Sequence, residues 1–145
     1  MPTVLIVDDE KHIPRDLSVF LVKGGYTPYP AHSVEEAKKV IDDQPQLDYA
    51  IIDLKLDNQS DFGGIEVFRQ VKQRHPQAKI IMLSANPFLE ERVLKEFGEQ
   101  LKDEPDIHSI LGEVRSHYIH KGGERNYILV VLEKLKELRN QDDPG

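Results

Sequence analysis

Three unbroken apolar runs, Val4-Leu5-Ile6-Val7, Tyr49-Ala50-Ile51-Ile52 and Ile80-Ile81-Met82-Leu83, limit what this chain can fold into more than any other feature. A strand with one wet face alternates apolar and polar side chains, whereas a continuous run is covered on both faces. Between the runs lie longer stretches with apolar residues at helical spacing. The first carries Ile13, Leu17, Phe20 and Leu21 as its inward residues, and Gly24-Gly25 supplies a stop. Tyr26 to Ala31 reads as a weaker strand, and Pro28 and Pro30 suit an edge position. Ser33-Val34-Glu35-Glu36 is a capping box opening a helix with Ala37, Val40 and Ile41 inward, which stops before Pro45.

The third strand ends at Asp53 and is followed by a polar loop. A helix from about Gly64 to His75 then buries Ile65, Phe68 and Val71, and Pro76 closes it. The fourth strand ends at Ser84. Asn86-Pro87 opens a helix whose buried stripe is Leu89, Val93, Phe97 and Leu101. Residues Gly98 to Glu113 fit neither pattern cleanly. Ser116 to His120 predicts a fifth strand, and Ile128, Val131, Leu132, Leu135 and Leu138 mark a final helix ending near Arg139. Strands alternating with helices predict an α/β fold, a doubly wound five-stranded parallel sheet with helices on both faces. Right-handed crossovers leave only a few strand orders.

Composition narrows the class further. The 145 residues suit one domain, and 39% apolar residues suffice for a core. With 26 acidic against 19 basic side chains the net charge is −7, which argues against direct nucleic-acid binding. The absence of cysteine excludes disulfides, zinc thiolates and a cysteine nucleophile. Asp8, Asp9 and Glu10 interrupt the N-terminus too early for a secretory signal, and no apolar run approaches the ~20 residues of a membrane span. The expectation is a soluble, cytoplasmic protein.

In parallel α/β sheets ligands bind beyond the carboxyl ends of the strands. The residues there are Asp8 and Asp9 after the first strand, Asp53 after the third, Ser84 after the fourth and Lys121 after the fifth. Two carboxylates about 4 Å apart repel by roughly 4 kcal/mol at an effective dielectric near 20. A third carboxylate aggravates this unless a cation binds or the acids hold protons. An oxygen-only cluster favours a hard ion such as Mg²⁺.

Together these residues resemble the receiver domains of two-component response regulators. Val4-Leu5-Ile6-Val7-Asp8-Asp9-Glu10 matches the acidic-pair segment and Ile51-Ile52-Asp53-Leu54 the phosphoacceptor strand. Met82-Leu83-Ser84-Ala85 matches the Ser/Thr strand, and Tyr118-Ile119-His120-Lys121 the lysine strand with its aromatic switch residue. The likeness runs from about Thr3 to Leu138.

The resemblance implies a flavodoxin-like strand order of 2-1-3-4-5 and a phosphorylation-dependent signalling switch rather than an enzyme acting on other substrates. Asp53 would take a phosphoryl group from a sensor histidine kinase or histidine phosphotransfer protein. Mg²⁺ would be held by Asp8, Asp9, Asp53 and the backbone carbonyl of Lys55. Lys121 would pair with a phosphoryl oxygen, Ser84 would move to donate to another, and Tyr118 would turn inward behind it. The receiver would occupy residues 1–140, with a short polar tail at 141–145 and no output domain. Signalling would run through a downstream effector protein, and a homodimer would form on the face of the fourth helix, fifth strand and fifth, final helix.

The chain departs from the family pattern in four places. Gly122-Gly123 follows Lys121 where proline is usual, which predicts a looser loop. Asp57 stands where proline is common, and the Asn58 to Phe62 loop is longer than usual. Ser84 and Lys121 lie unusually far apart. The extra residues around Gly98 to Glu113 either extend the fourth helix or add a short one after Pro105, altering the output and dimer face.

Two other functions compete. A degenerate receiver would serve as a phosphorylation-independent binding scaffold. A phosphatase of the haloacid dehalogenase type would also use an aspartate nucleophile and Mg²⁺, but it needs an aspartate general acid where this chain has Lys55.

Overall fold

The computed structural model describes residues 1–56, 63–85, 91–122 and 126–142. Strands β1 (Thr3–Val7), β2 (Thr27–Ala31), β3 (Tyr49–Asp53), β4 (Lys79–Ser84) and β5 (Tyr118–His120) form one sheet in the order β2-β1-β3-β4-β5. Every pairing is parallel. The helices are α1 (His12–Lys23), α2 (Val34–Asp43), α3 (Gly63–Arg74), α4 (Glu91–Gln100), α5 (Ile107–Ser116) and α6 (Tyr127–Asp142).

The unbroken apolar runs serve two cores at once. Leu5, Val7, Ala50, Ile52, Ile80 and Met82 face a core built with α2, α3, α4 and α5. Their neighbours Val4, Ile6, Tyr49, Ile51, Ile81 and Leu83 face a second core built with α1 and α6. Successive side chains of a strand point to opposite faces, so a strand between two helical layers has no polar position to spare. β2 lies at the edge, where Pro28 and Pro30 are tolerated.

Local signals act as expected in most elements. Ser33 Oγ accepts from the Glu36 amide at 3.1 Å, and the Glu36 carboxylate accepts from the His32 amide at 2.8 Å. One inward residue is corrected: Phe20 is 41% exposed, its ring under the Lys23 ammonium at 5.5 Å, while Ile13, Leu17 and Leu21 are buried. In the last helix Leu132 is only partly buried, and α6 continues to Asp142, beyond the expected end at Arg139. The extra residues after α4 form α5, which begins just past Pro105 and has more than two turns. Asn86-Pro87, Leu89, Asp57, the Asn58 to Phe62 loop and Gly123 lie outside the described residues.

α5 also finishes the sheet. Among the described residues, β5 pairs with Met82 to Ser84 and no strand pairs with the start of β4 on that side. There the Glu113 carboxylate accepts from the Ile80 amide at 2.9 Å, and His117 Nδ1 meets the Ile80 carbonyl at 3.1 Å. Lys72 of α3 pairs with Glu113 at 2.7 Å. Side chains of the insertion thus replace a strand's backbone.

α3 sits against the end of β3 through a glycine. A Cβ on Gly64 would lie 2.2 Å from the Asp53 carbonyl oxygen and 2.9 Å from Leu54 Cα, both backbone atoms. Gly64→Ala is expected to destabilise the protein by about 2 kcal/mol through overpacking. Gly112→Ala in α5, where nothing lies within 4 Å, is the control and should stabilise by about 0.5–1 kcal/mol. Urea unfolding of the two variants decides; a Gly64→Ala protein as stable as the parent would contradict the close approach.

Candidate functional site

β1 and β5 deliver their next residues, and β3 its last, to one spot at the carboxyl rim. Continuing the alternation of each strand, Asp8, Asp53 and Lys121 share the side of the sheet that α1 and α6 cover. The carboxylates of Asp8, Asp9 and Asp53 each offer an oxygen within 4.8 Å of the others. Asp8 is fully buried and Asp53 nearly so. Lys121 Nζ lies 3.1 Å from Asp8 and 3.2 Å from Asp53. Its backbone amide donates to the Ser84 carbonyl at 2.8 Å, so the end of β4 fixes the lysine's origin. Lys121 is therefore firmly placed with glycine rather than proline after it.

Glu10, not among the expected site residues, also reaches Lys121, at 3.6 Å. It is half exposed and follows the acidic pair directly, so its proximity was readable from the sequence. Its amide donates to Asp8 Oδ1 at 3.0 Å, which helps aim the Asp8 carboxylate. Tyr127, at the start of α6, is a second unforeseen neighbour. Burial, Asp16 and Asp8 push its hydroxyl above the usual tyrosine range.

Ser84 and Tyr118 occupy the other side of the sheet. Ser84 is buried at the end of β4, and Tyr118 is half-buried against the α2–α5 core. Tyr118 pairs with Met82 and His120 with Ser84 across the β4–β5 ladder. Lys55 is exposed just past the end of β3.

The electrostatics are those of an unsatisfied anion cluster. Burial and the neighbouring Asp8 push the Asp53 carboxyl up to about 7, despite the Lys121 ammonium beside it. Asp8 is likewise raised by burial. Burial pulls Lys121 down, but Asp53 and Asp8 outweigh it and the ammonium is held above its usual range. Three carboxylates against one nearby ammonium leave an excess negative charge in a site with only oxygen donors. That donor set fits a hard divalent cation; Asp8, Asp9 and Asp53 are the residues that would hold it.

A family model described as the response regulator receiver domain matches residues 4–96. The photosynthetic apparatus regulatory protein RegA of Rhodovulum sulfidophilum is 34% identical over 83 residues, 57% of this chain and 43% of that protein. The response regulator protein PilR of Pseudomonas aeruginosa is 32% identical over 81 residues, 56% of this chain and 17% of that one. The match thus spans less than half the length of these relatives. Among solved structures, a CheY-like receiver domain protein of Methanospirillum hungatei superposes with a TM-score of 0.71 at 27% identity, covering 100% of this chain and 99% of the other. The response regulator TrrA of Thermotoga maritima, solved with Mg²⁺ and BeF, gives 0.64 at 26% identity, covering 95% and 99%. Among the described residues, no helix is long and apolar enough to cross a membrane.

The raised Asp53 sets a pH dependence for the metal-free chain. Its carboxyl titrates near 3.8 when unfolded and near 7 when folded, so the folded state binds the extra proton between those values. Stability from this group is full below about pH 4 and is lost as pH rises through about 7. In chelator, the parent should lose stability relative to Asp53→Asn between about pH 5 and pH 8, by a few kcal/mol. Urea unfolding at both pH values reads this; parallel curves would refute the shift.

Proposed function

The chain belongs to the response regulator receiver domain family, and from that premise we propose that it is a phosphorylation-dependent signalling switch with Asp53 as acceptor. The observation that carries the reading is the Lys121 ammonium lying between the buried carboxylates of Asp8 and Asp53, beside a three-carboxylate oxygen cluster.

In this reading an Asp53 oxygen attacks the phosphorus of a phosphohistidine on a sensor histidine kinase or histidine phosphotransfer protein. The P–N bond breaks, its electron pair returns to the imidazole nitrogen, and an aspartyl phosphate results. Mg²⁺, held by Asp8, Asp9, Asp53 and the Lys55 carbonyl, would offset charge on the transferring group. Lys121 leaves its carboxylate partners to pair with a phosphoryl oxygen. Ser84 donates to another, and Tyr118 follows it toward the sheet. No separate acid or base is required, because a loose phosphoryl-transfer transition state depends on positioning and electrostatics.

The hydrogen-bond scale shows that the parts must act together. One bond to a charged group contributes about 1.5–3 kcal/mol, whereas moving an equilibrium from 1:99 to 99:1 takes about 5.5 kcal/mol. Ser84 and Lys121 jointly reach that range; Ser84 alone does not. The reading also places the protein in the cytoplasm, acting on a downstream effector protein without binding DNA itself. Its output and homodimer face would be α4, β5 and α6, to which α5 adds a layer on the α4 side.

Incubation with acetyl phosphate and Mg²⁺ should give one base-labile phosphoryl adduct by intact mass. Asp53→Asn should give none, and chelator should abolish labelling of the parent. Equal labelling of Asp53→Asn would overturn the assignment; a folded parent that binds Mg²⁺ without labelling would favour the scaffold reading.

A further inference from the structure

We propose that His120 is a positioning residue whose imidazole holds back the backbone that Ser84 must carry with it when it engages the phosphoryl group. The inference rests on the acceptor reading above and adds a residue which that reading does not use. His120 pairs with Ser84 in the β4–β5 register. Its Nε2 lies 2.8 Å from the carbonyl oxygen of Ala85, the residue after Ser84. A carbonyl only accepts, so Nε2 carries the proton and donates.

Two consecutive carbonyls are thereby tied to β5. The Lys121 amide donates to Ser84 O at 2.8 Å, and the His120 side chain takes Ala85 O. Consecutive carbonyls of a regular strand point to opposite sides, so the chain turns at Ala85 and a side chain extends the ladder past its last backbone bond. A movement that swings Ser84 toward Asp53 rotates the peptide units on either side of it. The His120 bond opposes that rotation from the far side.

The glycine after Lys121 fits the same arrangement. A Cβ on Gly122 would lie 3.3 Å from His120 Nε2, the atom that makes the bond. Glycine, standing where proline is usual, leaves the imidazole room to reach Ala85. The departure at Gly122 and the histidine before Lys121 are thus one feature.

Binding of beryllium fluoride to the full chain in saturating Mg²⁺ tests the proposal, followed by amide NMR shifts. His120→Leu should bind about three- to tenfold more tightly than the parent, the worth of one neutral hydrogen bond. His120→Gln, whose amide nitrogen can make the same bond, should stay within about twofold of the parent. Gly122→Ala, which keeps the imidazole but crowds it, should shift toward His120→Leu. Affinity for Mg²⁺ alone should be the same in all four proteins. Equal or weaker binding by His120→Leu, or a Gln variant behaving like Leu, would overturn the proposal while the acceptor reading stands. A folded parent that binds no beryllium fluoride would overturn both.

Discussion

The excess of negative charge at the carboxyl ends of β1 and β3 is the constraint on which the rest of the structure turns. Asp8 and Asp53 are buried within reach of each other and of Asp9. Two such charges about 4 Å apart repel by roughly 4 kcal/mol even at an effective dielectric near 20. The fold tolerates this because strong apolar burial on both faces of the strands fixes where they end. It relieves the repulsion in part with Lys121, delivered from the far end of the chain by the short β5. Burial, with the neighbouring Asp8, still pushes the Asp53 carboxyl up, and the oxygen-only cluster fits a divalent cation.

Strand alternation divides the labour at this rim. Asp8, Asp53 and Lys121 follow the parity of the α1–α6 face, whereas Ser84, Tyr118 and His120 follow that of the opposite face. The charged cluster and the proposed switch residues therefore occupy two sides of one sheet, joined by the β4–β5 ladder. In the proposed switch, a change at Asp53 would reach the α4–α5 side through Ser84, whose carbonyl is bonded to the amide of Lys121.

Most of this was legible in the sequence because it depends on period and on strand ends. The apolar runs gave the strands, and the residues directly after them gave Asp8, Asp9, Asp53, Ser84 and Lys121. What escaped depends on contacts between distant residues. Phe20 has helical spacing with Leu17, but it stays largely exposed and rests beside Lys23 instead. α5 carries Ile107, Ile110, Leu111 and Val114 at helical spacing, a signal not read in the stretch from Gly98 to Glu113, but its role in completing the β4 edge rests on Glu113 and His117 meeting Ile80 more than thirty residues away. Gly64 marks a helix start in the sequence, but only the clash that a Cβ there would make with the Asp53 carbonyl shows why a side chain is excluded. Nothing in the local pattern around His120 signals its bond to the Ala85 carbonyl, which lies 35 residues away in sequence.

The central claim is that one carboxylate cluster both stores a proton on Asp53 and serves as the metal site. Titration calorimetry of Mg²⁺ near pH 7, in buffers of different ionisation enthalpy, tests it most directly. The metal should expel a substantial fraction of a proton from the parent, because the Asp53 carboxyl is pushed up to about 7 without it. Asp53→Asn should release markedly less. Metal binding without proton release by the parent, or equal release by the two proteins, would contradict the account.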